Sequence, residues 1–170
     1  MQFRKYVSSD MDEIAKLFYD TVHTVNAADY TAAQSDAWAP RDLDAKRWDE
    51  SLKRHFSLVA EDEGKIVGFG DIDGSGYLDR LYVRADYIGK GVGKALLARL
   101  EDAVRGDITT HASVTARAFF EKAGYSVVRR QTVERRGELL TNFVMKKRGK
   151  PPPFKAFLCV RRQPLCFRGC

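Results

Sequence analysis

The chain has 170 residues, 44% hydrophobic and 31% charged, which bounds it to one globular domain large enough for a real core. No run nears the ~18–20 apolar residues of a membrane span, and MQFRKYVSSDMDE has no apolar signal-peptide segment, so a cytoplasmic protein without a membrane partner is expected. The net charge of +6 misleads: all 23 acidic residues precede residue 146, against 21 of the 29 Lys and Arg, and the other eight basic residues follow. The body therefore has no basic footprint, and no nucleic-acid partner is expected. Cys159, Cys166 and Cys170 all lie in the tail, so the body has no cysteine metal site, disulfide or thiol nucleophile, and no metal is expected.

In chain order, residues 3–7 read as a strand. Asp10 and Glu13 form a capping-box pattern, and Ile14, Leu17, Phe18, Thr21, Val22 and Val25 recur at helical spacing. A weaker helical stretch covers residues 31–37, and another helix covers 42–54. Three strands follow at 56–60, 65–73 and 77–83, joined by Glu63-Gly64 and Gly74-Ser75-Gly76 turns, which favour antiparallel hairpins. A glycine-rich segment leads into a helix at 92–104. A strand at 107–111, a helix at 115–123 and a hairpin of strands 125–135 and 139–146 complete the body. Counting two helices before the second strand, the order is β-α-α-β-β-β-α-β-α-β-β. It predicts an α/β (α+β) fold: a mixed, mostly antiparallel sheet with helices on its faces. After Arg148, Pro151-Pro152-Pro153 can continue neither helix nor strand. The expected division is a domain at 1–147 and a basic tail at 148–170, either an appended segment or an interaction arm.

The segment LYVRADYIGKGVGKALL, residues 81–97, runs from strand through turn to helix. The first-turn amides of a helix have no internal partners and sit at its positive end, which suits a phosphate. Gly89, Gly91 and Gly93 let an anion approach the backbone, and Lys90 and Lys94 add charge. A Walker loop is excluded, because Ile88 stands where its first glycine belongs and Ala95 follows Lys94. GxGxxG is excluded because Lys94 and Leu96 occupy its last glycine positions.

The stretch resembles the acetyl-CoA loop of the Gcn5-related N-acetyltransferase (GNAT) superfamily, V-x-P then Gln/Arg-x-x-Gly-x-Gly/Ala. Val83-Arg84-Ala85 and Ile88-Gly89-Lys90-Gly91-Val92-Gly93 stand in those positions, with Ala85 for Pro and Ile88 for Gln or Arg. A second block, SVTARAFFEKAGY at residues 113–125, resembles the family motif N-x-x-A-x-x-L/F-Y-E-K-x-G-F. With the AWAP segment and VERRGELLTNFVM, the pattern is similar to a small bacterial branch whose substrate is poorly defined.

The resemblance implies the GNAT fold, with strands splayed around the cofactor. It implies transfer of an acetyl group from acetyl-CoA to a primary amine of a small molecule or peptide, by direct attack in a ternary complex. Leu81, Tyr82 and Val83 would hold the acetyl carbonyl and pantetheine, and the amides of Ile88, Gly89, Lys90, Gly91, Val92, Gly93 and Lys94 the pyrophosphate. Ser113 stands at the usual Asn near pantetheine. Phe120 stands where the family often has the Tyr that protonates the leaving thiolate, and Tyr125 is the nearest other phenol. Candidate bases are Asp79, on the strand leading to the acetyl site, and His111, across the expected splay, whose titration range suits the role. His23, Tyr30 and Trp38 are expected at the acceptor pocket, His23 also as a weaker base candidate, and the family admits a homodimer. A non-catalytic acyl-CoA-binding module stays open because of Phe120.

Overall fold

The computed structural model describes residues 1–151. Its strands β1 (Gln2–Lys5), β2 (Phe56–Asp62), β3 (Lys65–Ile72), β4 (Tyr77–Val83), β5 (Ile108–Ser113), β6 (Ser126–Arg135) and β7 (Glu138–Lys147) form one sheet in the order β1-β2-β3-β4-β5-β7-β6. Every neighbouring pair is antiparallel except β4 with β5. Three helices, not two, separate β1 from β2: α1 (Met11–Thr24), α2 (Ala32–Trp38) and α3 (Ala45–Arg54). The weak stretch after Thr31 is a true helix because Thr31 caps it, accepting from the Gln34 N–H while the Gln34 side chain accepts from the Thr31 N–H.

Two cores sandwich the sheet. Helices α1 and α3 bury Ile14, Phe18 and Leu52 against Val59 and Phe69. On the other face α4 (Val92–Asp102) and α5 (Val114–Lys122) bury Leu96, Leu100 and Phe120 with Ile72, Leu78 and Met145. Helix α4 approaches β3 closely: a Cβ on Gly70 would lie 2.8 Å from the Arg80 carbonyl oxygen and 2.9 Å from Leu100. Glycine inside a strand marks this kind of contact.

One local expectation fails. Asp10 is not the cap of α1 through its side chain. Its buried carboxylate accepts from the Arg4 guanidinium at 2.8 and 2.9 Å and from the Val7 N–H at 3.0 Å, while Glu13 accepts from the Ile66 N–H at 2.7 Å. Tertiary partners outcompete the local cap. Beyond β7 the chain still packs on the domain: the Gly106 N–H donates to the Lys150 carbonyl at 2.8 Å, and Lys150 pairs with Asp102. The tail cysteines and the rest of the expected tail lie outside the described residues.

Candidate active site

Strands β4 and β5 pair through only two residue positions, Tyr77 with Thr109 and Leu78 with Thr110. The Thr110 hydroxyl then donates to the Leu78 carbonyl at 2.9 Å, and the strands part. The opening is a cavity of about 450 Å³, within the range of small-molecule sites. Its β4 wall includes Asp79, Leu81, Tyr82 and Val83, and its β5 wall includes His111 and Ser113. The Arg84 N–H bonds to Val67 on the β3 side, so alternation turns the Val83 N–H and carbonyl to the open edge. The carbonyl accepts there from the Thr21 hydroxyl at 3.3 Å.

One end of the cavity is the glycine loop. Ile88, Gly89, Gly91, Val92 and Gly93 line it. Gly89 and Gly91 have φ of +79° and +84°, and a Cβ at either would meet nothing within 4 Å. Gly91 is the N-cap of α4 and provides no side-chain cap. No backbone acceptor takes the amides of residues 91–94. Four amides at a helix start, beside space that a Cβ would occupy, form a cradle for an anion. The lysines stand outside this lining: Lys90 lies over the Tyr87 ring at 4.4 Å, and Lys94 is exposed.

At the other end, Asp79 and His111 face the same cavity from opposite walls. Asp79 occupies a β-bulge, since pairing jumps from Asp71–Arg80 to Ile72–Leu78 and leaves it unmatched. The bulge breaks the strand alternation between Tyr77 and Leu81. Leu78 and Leu81, three apart, both pack into the α4-side core. A bulge re-aims a side chain, and here it brings Asp79 to within 3.2 Å of its neighbour Arg80. His111 packs edge-on to Tyr77 at 5.3 Å. Burial lowers the His111 pKa, Arg129 and Arg135 push the same way, and Asp79 opposes them. Arg129 owes this to register: it pairs with Val144, which pairs with His111.

The remaining expected residues divide. Phe120 and Ser113 line the cavity. The Ser113 hydroxyl caps α5, accepting from the Ala116 N–H at 3.0 Å, with the Asn26 amide at 3.4 Å. Trp38 also lines it. Tyr125 does not: its hydroxyl donates to Glu101 at 3.0 Å, a carboxylate that Lys147 holds as well. Burial first, then Glu101, raises the Tyr125 pKa well beyond its ordinary value. Tyr30 spends its hydroxyl on the fold, donating to the Thr141 carbonyl at 2.7 Å and accepting from the Val114 N–H at 3.0 Å. His23 stacks on Tyr19 and contacts the Tyr19 carbonyl and Asp36, outside the cavity lining.

Sequence reasoning missed the group behind Asp79. Asp71 is fully buried and accepts from His55 Nδ1 at 2.6 Å and Arg80 at 3.0 Å. Arg80 also reaches Ser51 at 3.2 Å and lies 4.5 Å over the Trp48 ring. Burial pushes the Asp71 carboxyl up, with Arg80 and His55 pulling it down. Ligand atoms of His55, Asp71 and Asp79 come within 4.8 Å of one another, but the Arg80 guanidinium already contacts both carboxylates and supplies the positive charge a metal would bring. A signal existed: Asp71 is the one charged residue in the run IVGFGDI.

The family profile described as "Acetyltransferase (GNAT) domain" matches residues 26–147. The chain is 35% identical over 147 residues to "Uncharacterized N-acetyltransferase YafP" of Escherichia coli (strain K12), covering 86% of this chain and 95% of the relative. Among solved structures it is similar to a GCN5-related N-acetyltransferase, "Aminotransferase, Class-II", from Rhodopseudomonas palustris: TM-score 0.83, 34% identity, 86% of this chain and 94% of that one. It shares the fold of the PaiA N-acetyltransferase of Thermoplasma acidophilum, solved in complex with coenzyme A, at TM-score 0.70 and 18% identity over 86% of this chain and 98% of that one. A splayed β4–β5 pair, a glycine loop at the start of α4 and a domain-wide match together place this chain in the GNAT acetyltransferase family.

Proposed function

We propose that the protein is an N-acetyltransferase that uses acetyl-CoA to acetylate a primary amine on a small molecule or peptide. One observation carries the reading: a single cavity is lined by the glycine loop, the open edge of β4, Asp79 and His111. The cradle fits the cosubstrate's pyrophosphate, because the amides of residues 91–94 lack backbone acceptors and glycine leaves the space above them clear. The Val83 edge suits the amide-bearing pantetheine arm, as an added strand would pair.

Acetyl-CoA supplies the activated acetyl group when bound. The chain's residues orient the amine and manage its protons. A primary amine is mostly protonated at neutral pH and must shed a proton before it attacks. His111, held toward its neutral form by burial, takes that proton together with Asp79. Phe120 has no proton to give and the Tyr125 hydroxyl is committed to Glu101, so the proton that the nitrogen loses as the amide forms passes through water to the departing thiolate. Trp38 forms part of the acceptor end.

Incubation of the full chain with acetyl-CoA and benzylamine, putrescine, glycinamide or an alanyl dipeptide, with free CoA release as the readout, tests the reading. Amine-dependent release that falls in both Asp79→Asn and His111→Ala is expected. Tight acetyl-CoA binding with no release for any amine favours the second reading, a non-catalytic acyl-CoA-binding module, which Phe120 at the cavity wall supports.

A further inference from the structure

Behind the Asp79 wall lies a buried charged set that does not itself line the cavity. Asp71 and Arg80 are cross-strand partners on β3 and β4 and share the face covered by α3. The last turn of α3 supplies Ser51, and its C-cap supplies His55. That helix end carries a partial negative charge, which favours a guanidinium. Arg80 has five N–H donors in a rigid plane. It donates to Asp71 at 3.0 Å and Ser51 at 3.2 Å, ion-pairs with Asp79 at 3.2 Å and lays its face on Trp48. Its side chain is 12% exposed and Asp71 is 0% exposed, so neither end of the Asp71–Arg80 pair swings freely. Asp79, by contrast, is 32% exposed and unpaired in the ladder. Arg80 is its one ion-pair partner among the described residues.

We propose that Arg80, braced by Asp71 and His55, is the positioning residue that holds the Asp79 carboxylate on the cavity wall. The proposal rests on the reading of Asp79 as a base of acetyl transfer. The bulge turns Asp79 toward the cavity, and the guanidinium beside it at 3.2 Å holds it there by ion pairing. Asp71 lets a fixed cation sit inside the sheet, because it neutralises Arg80 where water does not. His55 anchors Asp71 from the end of α3, so the geometry of the base is tied to the packing of α3 on the sheet. Lysine could keep the charge but not the two directed hydrogen bonds to Asp71 and Ser51 that aim it at Asp79.

The test is a double-mutant cycle of Arg80→Lys with Asp79→Asn, with acetyl-CoA and any amine of the panel above that the parent turns over. Arg80→Lys should lower kcat about tenfold or more, as sub-ångström misplacement of a reacting group does, and leave the KM for acetyl-CoA unchanged. In the Asp79→Asn background the same change should have no further effect on kcat. An equal loss in both backgrounds overturns the proposal and makes Arg80 merely structural. Asp79→Asn with full kcat overturns the base assignment instead, so the two failures are told apart. A readout independent of activity is a crystal structure of Arg80→Lys. The Asp79 carboxylate should leave its place on the cavity wall, and a carboxylate that stays put overturns the proposal.

Discussion

Replacing Gly91 separates backbone strain from loss of the cradle. Gly91 holds φ at +84° as the N-cap of α4, where an L-residue costs about 1–2 kcal/mol. Gly91→Leu should therefore cost roughly that much stability, a Tm drop of about 2–8 °C for a domain of this size. Its effect on acetyl-CoA should be larger. The side chain enters space where an added Cβ meets nothing within 4 Å, the space above the free amides. Losing two charge-assisted contacts at roughly 1.5–3 kcal/mol each raises Kd at least a hundredfold. Gly64, in the β2–β3 turn, is the control: its φ is +74° and its Cβ would also meet open space, but it does not line the cavity. Gly64→Leu should show a similar Tm loss with unchanged acetyl-CoA affinity. Isothermal titration with acetyl-CoA and thermal melts of all three proteins measure both quantities. A folded Gly91→Leu protein whose Kd stays within threefold of the parent refutes the placement of the pyrophosphate.

His111 has a lowered pKa, so its share of the acid limb of the kcat–pH profile should lie below the ordinary imidazole value of 6.5; His111→Gln should abolish that limb, and an unmoved limb argues against His111 as base. Asp10, despite a burial penalty, is held below the usual carboxylate range by Arg4 and the Val7 N–H. Its contribution is complete above the unfolded pKa of about 4 and fades as pH falls through the lower folded value. Urea melts of Asp10→Asn should thus show a loss of about 2 kcal/mol at pH 7 that shrinks below pH 4. Tyr125→Phe should cost about 1 kcal/mol of stability with kcat kept within twofold; a larger fall in kcat would return its hydroxyl to the proton path.

Local pattern was enough for much of the fold. Hydrophobic spacing located α1, and the turn residues Glu63-Gly64 and Gly74-Ser75-Gly76 located the β2–β3–β4 meander, with Asp73 accepting from the Ser75 and Tyr77 N–H groups. The glycine loop was legible as a strand-to-helix turn with unpartnered amides, because a helix start leaves its first amides free without any distant partner. The residues read less well are those whose partners lie far along the chain. Tyr30 looked like an acceptor contact until Val114 and Thr141, 84 and 111 residues away, took its hydroxyl. Tyr125 was drawn from the family motif as a spare phenol, but Glu101 and Lys147 enclose it. Arg80 and His55 carried no local signal, since their meaning comes from Asp71 across the sheet.

The position of Asp79 shows how two irregularities act together. A regular β4 would put Asp79 and Arg80 on opposite faces of the sheet, leaving the carboxylate without its guanidinium. A β5 paired along the whole of β4 would close the edge that now bears Val83. The bulge begins at Leu78–Ile72, beside the last β4–β5 pair, Leu78–Thr110. One residue, Leu78, therefore marks both the end of pairing on one side and the register shift on the other. It is 1% exposed within the α4-side core, so α4 packing fixes the hinge from which the site opens. The same helix presents its free amides at the far end of the cavity. In the proposed reading, donor and base are thus referred to one rigid element, so Leu78→Ala, followed by urea melts and CoA release, should lower kcat even under conditions where the protein stays fully folded.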